Sequence, residues 1–201
     1  MWNMRTTKTL LLLASFGLLA GVGFIYSGIY NVASDEPHWK LTFKLIETLR
    51  ERSIAEHARD ISPPPLDDPK LISGGAAHYS AMCTGCHLAP GMKNTEIRAG
   101  LYPKPPNFSE DRHVNFNSVQ QFWAIKHGIK MTAMPAWGVT HDDESIWGLV
   151  AFMKKLPGMS PEEYAVLTGS GHMHSDNHGT QSQSVKHMDE PGTPPHSHGD
   201  H

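Results

Sequence analysis

Cysteine is nearly absent from this chain: Cys83 and Cys86 are the only two in 201 residues. That scarcity excludes a disulfide framework, and a bridge between two residues three apart would close too small a loop to add much stability. A structural zinc site needs four protein ligands, usually as two matched pairs. The nearest histidines, His78 and His113, form no second pair. Sustained alternation of apolar and polar residues is also missing, which removes the signature of half-buried strands. So is an excess of positive charge: 17 Lys and Arg stand against 20 Asp and Glu, for a net charge of −3. Scattered basic residues in such a balance exclude a nucleic-acid footprint. Long apolar runs are confined to one place, near the N-terminus.

That run begins after Arg5 and Lys8 and extends from Leu10 to about Tyr30, with Ser15 and Ser27 as its polar interruptions. Its length approaches the roughly 20 residues that cross a bilayer as a helix. Asp35 and Glu36 follow it. The charge asymmetry predicts a cytoplasmic Met1 and export of everything after about residue 31. A cleaved signal peptide is the competing reading, with Val32-Ala33-Ser34 as a passable cleavage site. Residues 1–34 are therefore expected to be a membrane anchor or a signal segment, and both readings export the rest. An inner-membrane protein with its main domain in the periplasm, or a soluble periplasmic protein, follows respectively.

Composition divides the remainder. In residues 35–66, His38 to Ile61 reads as an amphipathic helix with Trp39, Phe43, Ile46 and Leu49 on one side. Lys44, Glu47, Arg50, Glu51 and Arg52 fill the other. Ser62-Pro63-Pro64-Pro65 then makes a stiff spacer. Residues 67–157 read as one compact all-α domain with three helices. The first starts from Asp68 as N-cap with Pro69 after it and runs into Cys83. The second starts at Ser118-Val119-Gln120-Gln121, a capping-box pattern, and stops at Gly128. The third starts near Thr140-His141-Asp142-Asp143, carries Ile146, Trp147, Val150 and Phe152, and ends with Lys154 and Lys155. Within residues 158–201, Ser160-Pro161-Glu162-Glu163 predicts a short helix, and the polar stretch after Gly169 predicts disorder to His201.

The two cysteines belong to one pentapeptide, Cys83-Thr84-Gly85-Cys86-His87. Cys-x-x-Cys-His is the attachment signature of c-type haem. The two thiols reach two points on one rigid ring as thioethers, and the adjacent imidazole binds the iron. A thioredoxin-like dithiol would need a βαβ pattern around it, and these flanks read as helical. The opposite face of the iron needs a second ligand, for which a thioether is common in electron carriers. The segment from Gly128 to Gly138 offers Met134, in a loop between two helices and stiffened by Pro135, with Met131 as the runner-up. Met82, Met92 and Met153 suit the adaptable filling of a core.

These residues carry a resemblance. Gly75 stands eight positions and Tyr79 four positions before Cys83, Phe152 sits in the last helix, and Met134-Pro135 lies on the loop before it. In this pattern residues 67–157 resemble class I cytochrome c, the small mono-haem electron carriers. The resemblance implies a cytochrome c fold around one covalent haem. It also implies close crossing of the first and last helices at Gly75, Tyr79 and Phe152. A carbonyl soon after His87, with Pro90 as the candidate, would accept the other ring hydrogen of that histidine. Trp123, Trp137, Arg98 and Lys104 become candidates for the haem edge and propionates.

The expected function is electron transfer without substrate binding, hence a carrier and not an enzyme by itself, meeting a redox partner protein. A cytochrome subunit of a larger membrane oxidoreductase is the second version. An alternative of another class starts from the tail, where His172, His174, His178, His187, His196, His198 and His201 stand with Met173 and Met188. Short His-rich tracts bind divalent copper, nickel or zinc, which would make the chain a metal-handling or metal-sensing haem protein. If neither methionine bound the iron, a five-coordinate haem open to peroxide or gases would remain as an enzymatic reading.

Overall fold

The computed structural model describes residues 3–110 and 116–169. The His-rich tail, its expected disorder and its candidate metal ligands lie outside the described residues, as does His113. Among the described residues all regular structure is helical, as the missing alternation predicts. The order is α1 (Met4–Tyr26), α2 (Lys40–Ala58), α3 (Pro69–Met82), α4 (Thr84–His87), α5 (Glu96–Ala99), α6 (Ser118–His127), a 3-10 turn at Trp137–Val139, α7 (Asp143–Met153) and α8 (Pro161–Thr168).

Helix α1 has 23 residues, a mean hydropathy of 2.0 and no buried residue, so it is long and apolar enough to cross a membrane. At 1.5 Å per residue it spans about 35 Å, slightly more than the roughly 30 Å hydrocarbon core. It starts earlier than the apolar run and takes Arg5 and Lys8 into its first two turns.

The caps follow the physical chemistry of orphan N–H groups, in two cases one or two residues from the expected place. Asp68 accepts from the Lys70 N–H at 2.9 Å, with Pro69 opening α3 as predicted. Helix α6 is capped by Asn117 and not by Ser118. Asn117 Oδ1 accepts from Gln120 N, and Gln120 Oε1 accepts from Asn117 N, both at 3.0 Å. Gln121, the partner a Ser118 box would need, instead donates to Phe116 O at 3.1 Å. Asp142 caps α7 by accepting from Ser145 N at 2.9 Å. The short helix α8 has the predicted Ser160/Glu163 capping box.

The core is built on α7, whose residues from Ile146 to Met153 are all buried. Helix α3 crosses it so closely that a Cβ placed on Gly75 would lie 1.9 Å from the Gly148 carbonyl oxygen. One placed on Gly148 would lie 2.9 Å from Leu71 O. Two residues without side chains at the crossing let the backbones touch. One turn along, Tyr79 packs on Phe152 with ring centroids 5.5 Å apart. Helix α6 lies against α7 through Phe122 stacked on Trp147 at 4.1 Å.

Helix α2 does not turn its expected face inward. Ile54 and Ala58 are buried and Phe43 half-buried, whereas Ile46 and Leu49 are exposed. The helix carries two apolar stripes. Leu41, Leu45 and Leu49, at 72, 63 and 70% exposure, form the outer one. The stripe of Phe43, Ile54 and Ala58 faces the domain instead, and it brings Glu47, Arg50 and Glu51 with it.

The crossing yields a test. Gly75→Ala forces a methyl into the backbone of α7, where no flexible side chain can yield, and should cost at least about 3 kcal/mol. Denaturant unfolding of the holoprotein checks this. A loss below about 1 kcal/mol, less than ordinary overpacking costs, would mean that the helices do not meet at these glycines.

Candidate functional site

One cavity of about 730 Å³ gathers the predicted residues: Cys83, Cys86, His87 and Met134 all border it. The pentapeptide reaches it by winding through a single turn. Cys83 closes α3, with its N–H donating to Tyr79 O at 2.9 Å. The N–H groups of Cys86 and His87 both donate back to Cys83 O, at 3.1 and 2.8 Å. Residues three apart on a helical turn share a face, so both thiols open on the same side. Burial, with the neighbouring Cys86 as a second cause, pushes the Cys83 thiol up to about 12. That wall favours an uncharged sulfur, and a thioether is uncharged at every pH.

After His87 the chain turns sharply. Leu88 has φ +63, a rare conformation for a residue with a branched side chain. The Tyr79 hydroxyl holds the turn by donating to Leu88 O at 2.8 Å, with His87 O at 3.3 Å as a second acceptor. Burial raises the phenol far above its ordinary value, so it remains a donor. Sequence reasoning assigned Tyr79 to helix crossing alone. Its second role as a strut for the turn after His87 needed the folded geometry.

The His87 ring is oriented from two sides. Its Nδ1 lies 3.0 Å from Pro106 O. A carbonyl only accepts, so Nδ1 carries the hydrogen and Nε2 keeps its lone pair for a metal. Burial lowers the imidazole pKa. The Pro106 contact opposes this and Arg98 adds to it, and the balance favours the neutral ring. Phe108 stacks on the ring at 4.6 Å. The expected acceptor, Pro90, is therefore corrected to Pro106. The Leu88 turn sends Ala89 and Pro90 into the interior, and the proline-rich return segment 103–106 passes the ring instead. Asn107 then accepts from Ser109 N and Oγ, at 3.1 and 2.7 Å, in the turn that presents Phe108.

The two candidate methionines separate clearly. Met131 sits at a loop tip with φ +60 and 89% exposure, whereas Met134 faces the cavity. The Met134 loop is closed by Ile129 N donating to Met134 O at 3.2 Å and by Met134 N donating to Thr132 Oγ1 at 3.1 Å. Gly128, at φ +66, passes so near that a Cβ there would lie 2.7 Å from the Pro135 carbonyl carbon. Met82 and Met153, expected as core filler, also border the cavity, from α3 and α7.

Of the other candidates, Arg98, Lys104 and Trp137 line the cavity and Trp123 does not. Trp123 faces away from Gln121, Ala124 and Ile125 on α6 and packs between His57 and His127, at 5.4 and 4.9 Å. Sequence reasoning missed Phe43, Glu47, Arg50 and Glu51 of α2, which also border the cavity. Their charge pattern had the look of a solvated face.

The arrangement fits a haem by its own chemistry. It offers two thiols one turn apart, an imidazole nitrogen with a free lone pair, a thioether, and walls that are mostly apolar. The guanidinium groups of Arg50 and Arg98 each have a buried Nε without a hydrogen-bond partner, as donors awaiting carboxylates would.

The strut is testable. Tyr79→Phe keeps the packing on Phe152 but leaves the Leu88 carbonyl without its donor. It should destabilise the protein by about 1–2 kcal/mol, read as a lower denaturant midpoint at unchanged m. No change in stability would mean that another group holds the turn.

Residues 70–153 match the family described as cytochrome c oxidase, cbb3-type, subunit III. A search of curated proteins finds no match. The matched segment starts at α3 and ends with α7, and so contains the glycine crossing, the attachment pentapeptide and the methionine loop. Residues 70–153 form a class I c-type cytochrome domain, with the haem-based electron transfer which that family implies.

Proposed function

We propose that this chain is a membrane-anchored, periplasm-facing electron carrier with one covalent haem, attached through Cys83 and Cys86 and ligated by His87 and Met134. The supporting observation is that the two thiols, the oriented imidazole and the Met134 loop converge on one cavity. A bound haem supplies a reversible one-electron couple. The protein's own residues decide how that couple behaves. Cys83 and Cys86 would hold the haem as thioethers. The Pro106 carbonyl fixes the tautomer and angle of His87, which raises its basicity as a ligand. Among the methionines bordering the cavity, Met134 is the one on a loop; Met82 directly precedes Cys83, and Met153 is packed into α7. A thioether ligand raises the reduction potential. Two protein ligands leave no open position for oxygen or peroxide, so the chain acts as a carrier and not as an enzyme by itself.

The matched family's description as an oxidase subunit favours the version in which the chain passes electrons within a larger membrane oxidoreductase. Helix α1 supplies the anchor. Its basic first turns and the acidic residues beyond it favour export of the haem domain.

The ligand assignment is tested by the visible spectrum of the ferric protein. The weak far-red band of sulfur-ligated ferric haem should be present in wild type, kept in Met131→Ala and lost in Met134→Ala, with a lower midpoint potential in the last. Retention of the band in Met134→Ala would overturn the assignment. The anchor is tested by alkaline extraction of membranes from the source cells. The full-length chain should stay in the pellet. Recovery of a soluble form beginning near residue 34 would replace the anchor with a cleaved signal.

A further inference from the structure

We infer that Arg50, on a helix outside the matched cytochrome segment, is a carboxylate-binding residue of the haem cavity that receives one propionate of the cofactor. The inference rests on the proposal that this cavity holds the haem. Helix α2 ends at Ala58, before the matched segment begins at residue 70, yet its inner face forms one wall of the cavity. Phe43, Glu47, Arg50 and Glu51 border the space. They share a face with Ile54 and Ala58, whose burial seats the helix against the domain.

Arg50 is poorly satisfied where it sits. Its side chain is 27% exposed, and Nη2 lies 4.0 Å from Glu47 Oε1 and 3.7 Å from Glu51 Oε1. Both distances exceed those of a hydrogen bond. Nε is buried and has no acceptor at all. Nε and a terminal nitrogen form the side-on fork that suits a planar carboxylate. A half-buried guanidinium whose Nε has no acceptor, and whose Nη2 is only loosely paired with two glutamates, has room for a carboxylate from within the cavity.

The surrounding charge agrees. Arg50, Arg98 and Lys104 border the cavity against Glu47 and Glu51, three cations to two anions. The excess is positive before any ligand carboxylate enters. Haem brings two propionates. Arg98 matches Arg50 in having an unpaired buried Nε, while its Nη2 donates to Pro105 O at 3.0 Å. Two guanidinium groups, one from the matched segment and one from α2, thus stand ready for two carboxylates.

The experiment uses the full-length holoprotein in detergent. It compares wild type, Arg50→Gln, Arg50→Lys and Arg52→Gln by midpoint potential and by the proton NMR shifts of the propionate methylenes. Arg52 is an exposed residue on the same helix, so its loss removes equal charge away from the cavity. Arg50→Gln should shift the potential downward, because removing a nearby cation favours the ferric state, and should move the signals of one propionate. Arg50→Lys keeps the charge and loses the fork, so the same propionate signals should move with a smaller shift in potential. Arg52→Gln should leave both readouts near wild type. An Arg50→Gln protein that differs from wild type no more than Arg52→Gln does would overturn the inference. If Arg50→Gln fails to assemble, an Arg50→Lys protein with wild-type propionate signals overturns it equally. A wild-type protein without haem absorbance would overturn the underlying proposal instead, which separates the two failures.

Discussion

The backbone contact between α3 and α7 at Gly75 and Gly148 is the constraint on which the rest depends. A helix pair normally keeps its axes 8–10 Å apart because side chains intervene. Here two facing glycines remove the intervening atoms, and a single methyl at Gly75 would meet a carbonyl oxygen at 1.9 Å. Close approach fixes the angle and register of the pair together, since sliding by one residue would set a side chain against backbone. The register places Tyr79 on Phe152, and Tyr79 stands one helical turn before Cys83.

The site inherits its precision from that register. Tyr79 spends its ring on the crossing and its hydroxyl on the Leu88 and His87 carbonyls. One side chain thus ties the helix pair to the turn that carries His87. The imidazole is then trapped between the Pro106 carbonyl and the Phe108 ring. These contacts orient the ring by themselves, so its tautomer is set by the fold. The opposite wall is built differently. Met134 hangs on a short loop closed by its own backbone and by Gly128.

Local signals were readable in the sequence, and assembled ones were not. The pentapeptide, Asp68-Pro69, the Ser160/Glu163 box and the Gly128 stop act within four residues, and each is found at its place. Gly75, Tyr79 and Phe152 were legible through family resemblance, whereas Gly148 was not singled out, although a glycine inside an apolar helix hints at close packing. Errors arose where two answers were locally equivalent. Asn117 and Ser118 both precede a glutamine at capping distance. The acceptor for His87 was sought nearby at Pro90, but the carbonyl that reaches the ring is that of Pro106, far along the chain. On α2, two stripes of similar apolarity compete, and what each stripe meets lies in another part of the chain.

That last error changes how the site is bounded. A charged stripe on an amphipathic helix is ordinarily its solvated face, and Glu47, Arg50 and Glu51 fit that pattern until the helix is seen against the cavity. Ile54 and Ala58 bury the end of α2 near the spacer and so commit the preceding turns to the same face. The charges are carried inward because they lie between Phe43 and Ile54 on the helix surface. The matched segment supplies Cys83, Cys86, His87 and Met134, while a wall with a buried, unpaired guanidinium nitrogen comes from upstream of it. Reduction potential in a haem protein responds to charge and burial around the cofactor as well as to ligand identity. On the proposed reading, residues 40–58 hold a lever on the couple that is distinct from the proposed ligands His87 and Met134. A domain cut at the boundaries of the family match would keep His87 and Met134 and lose that wall.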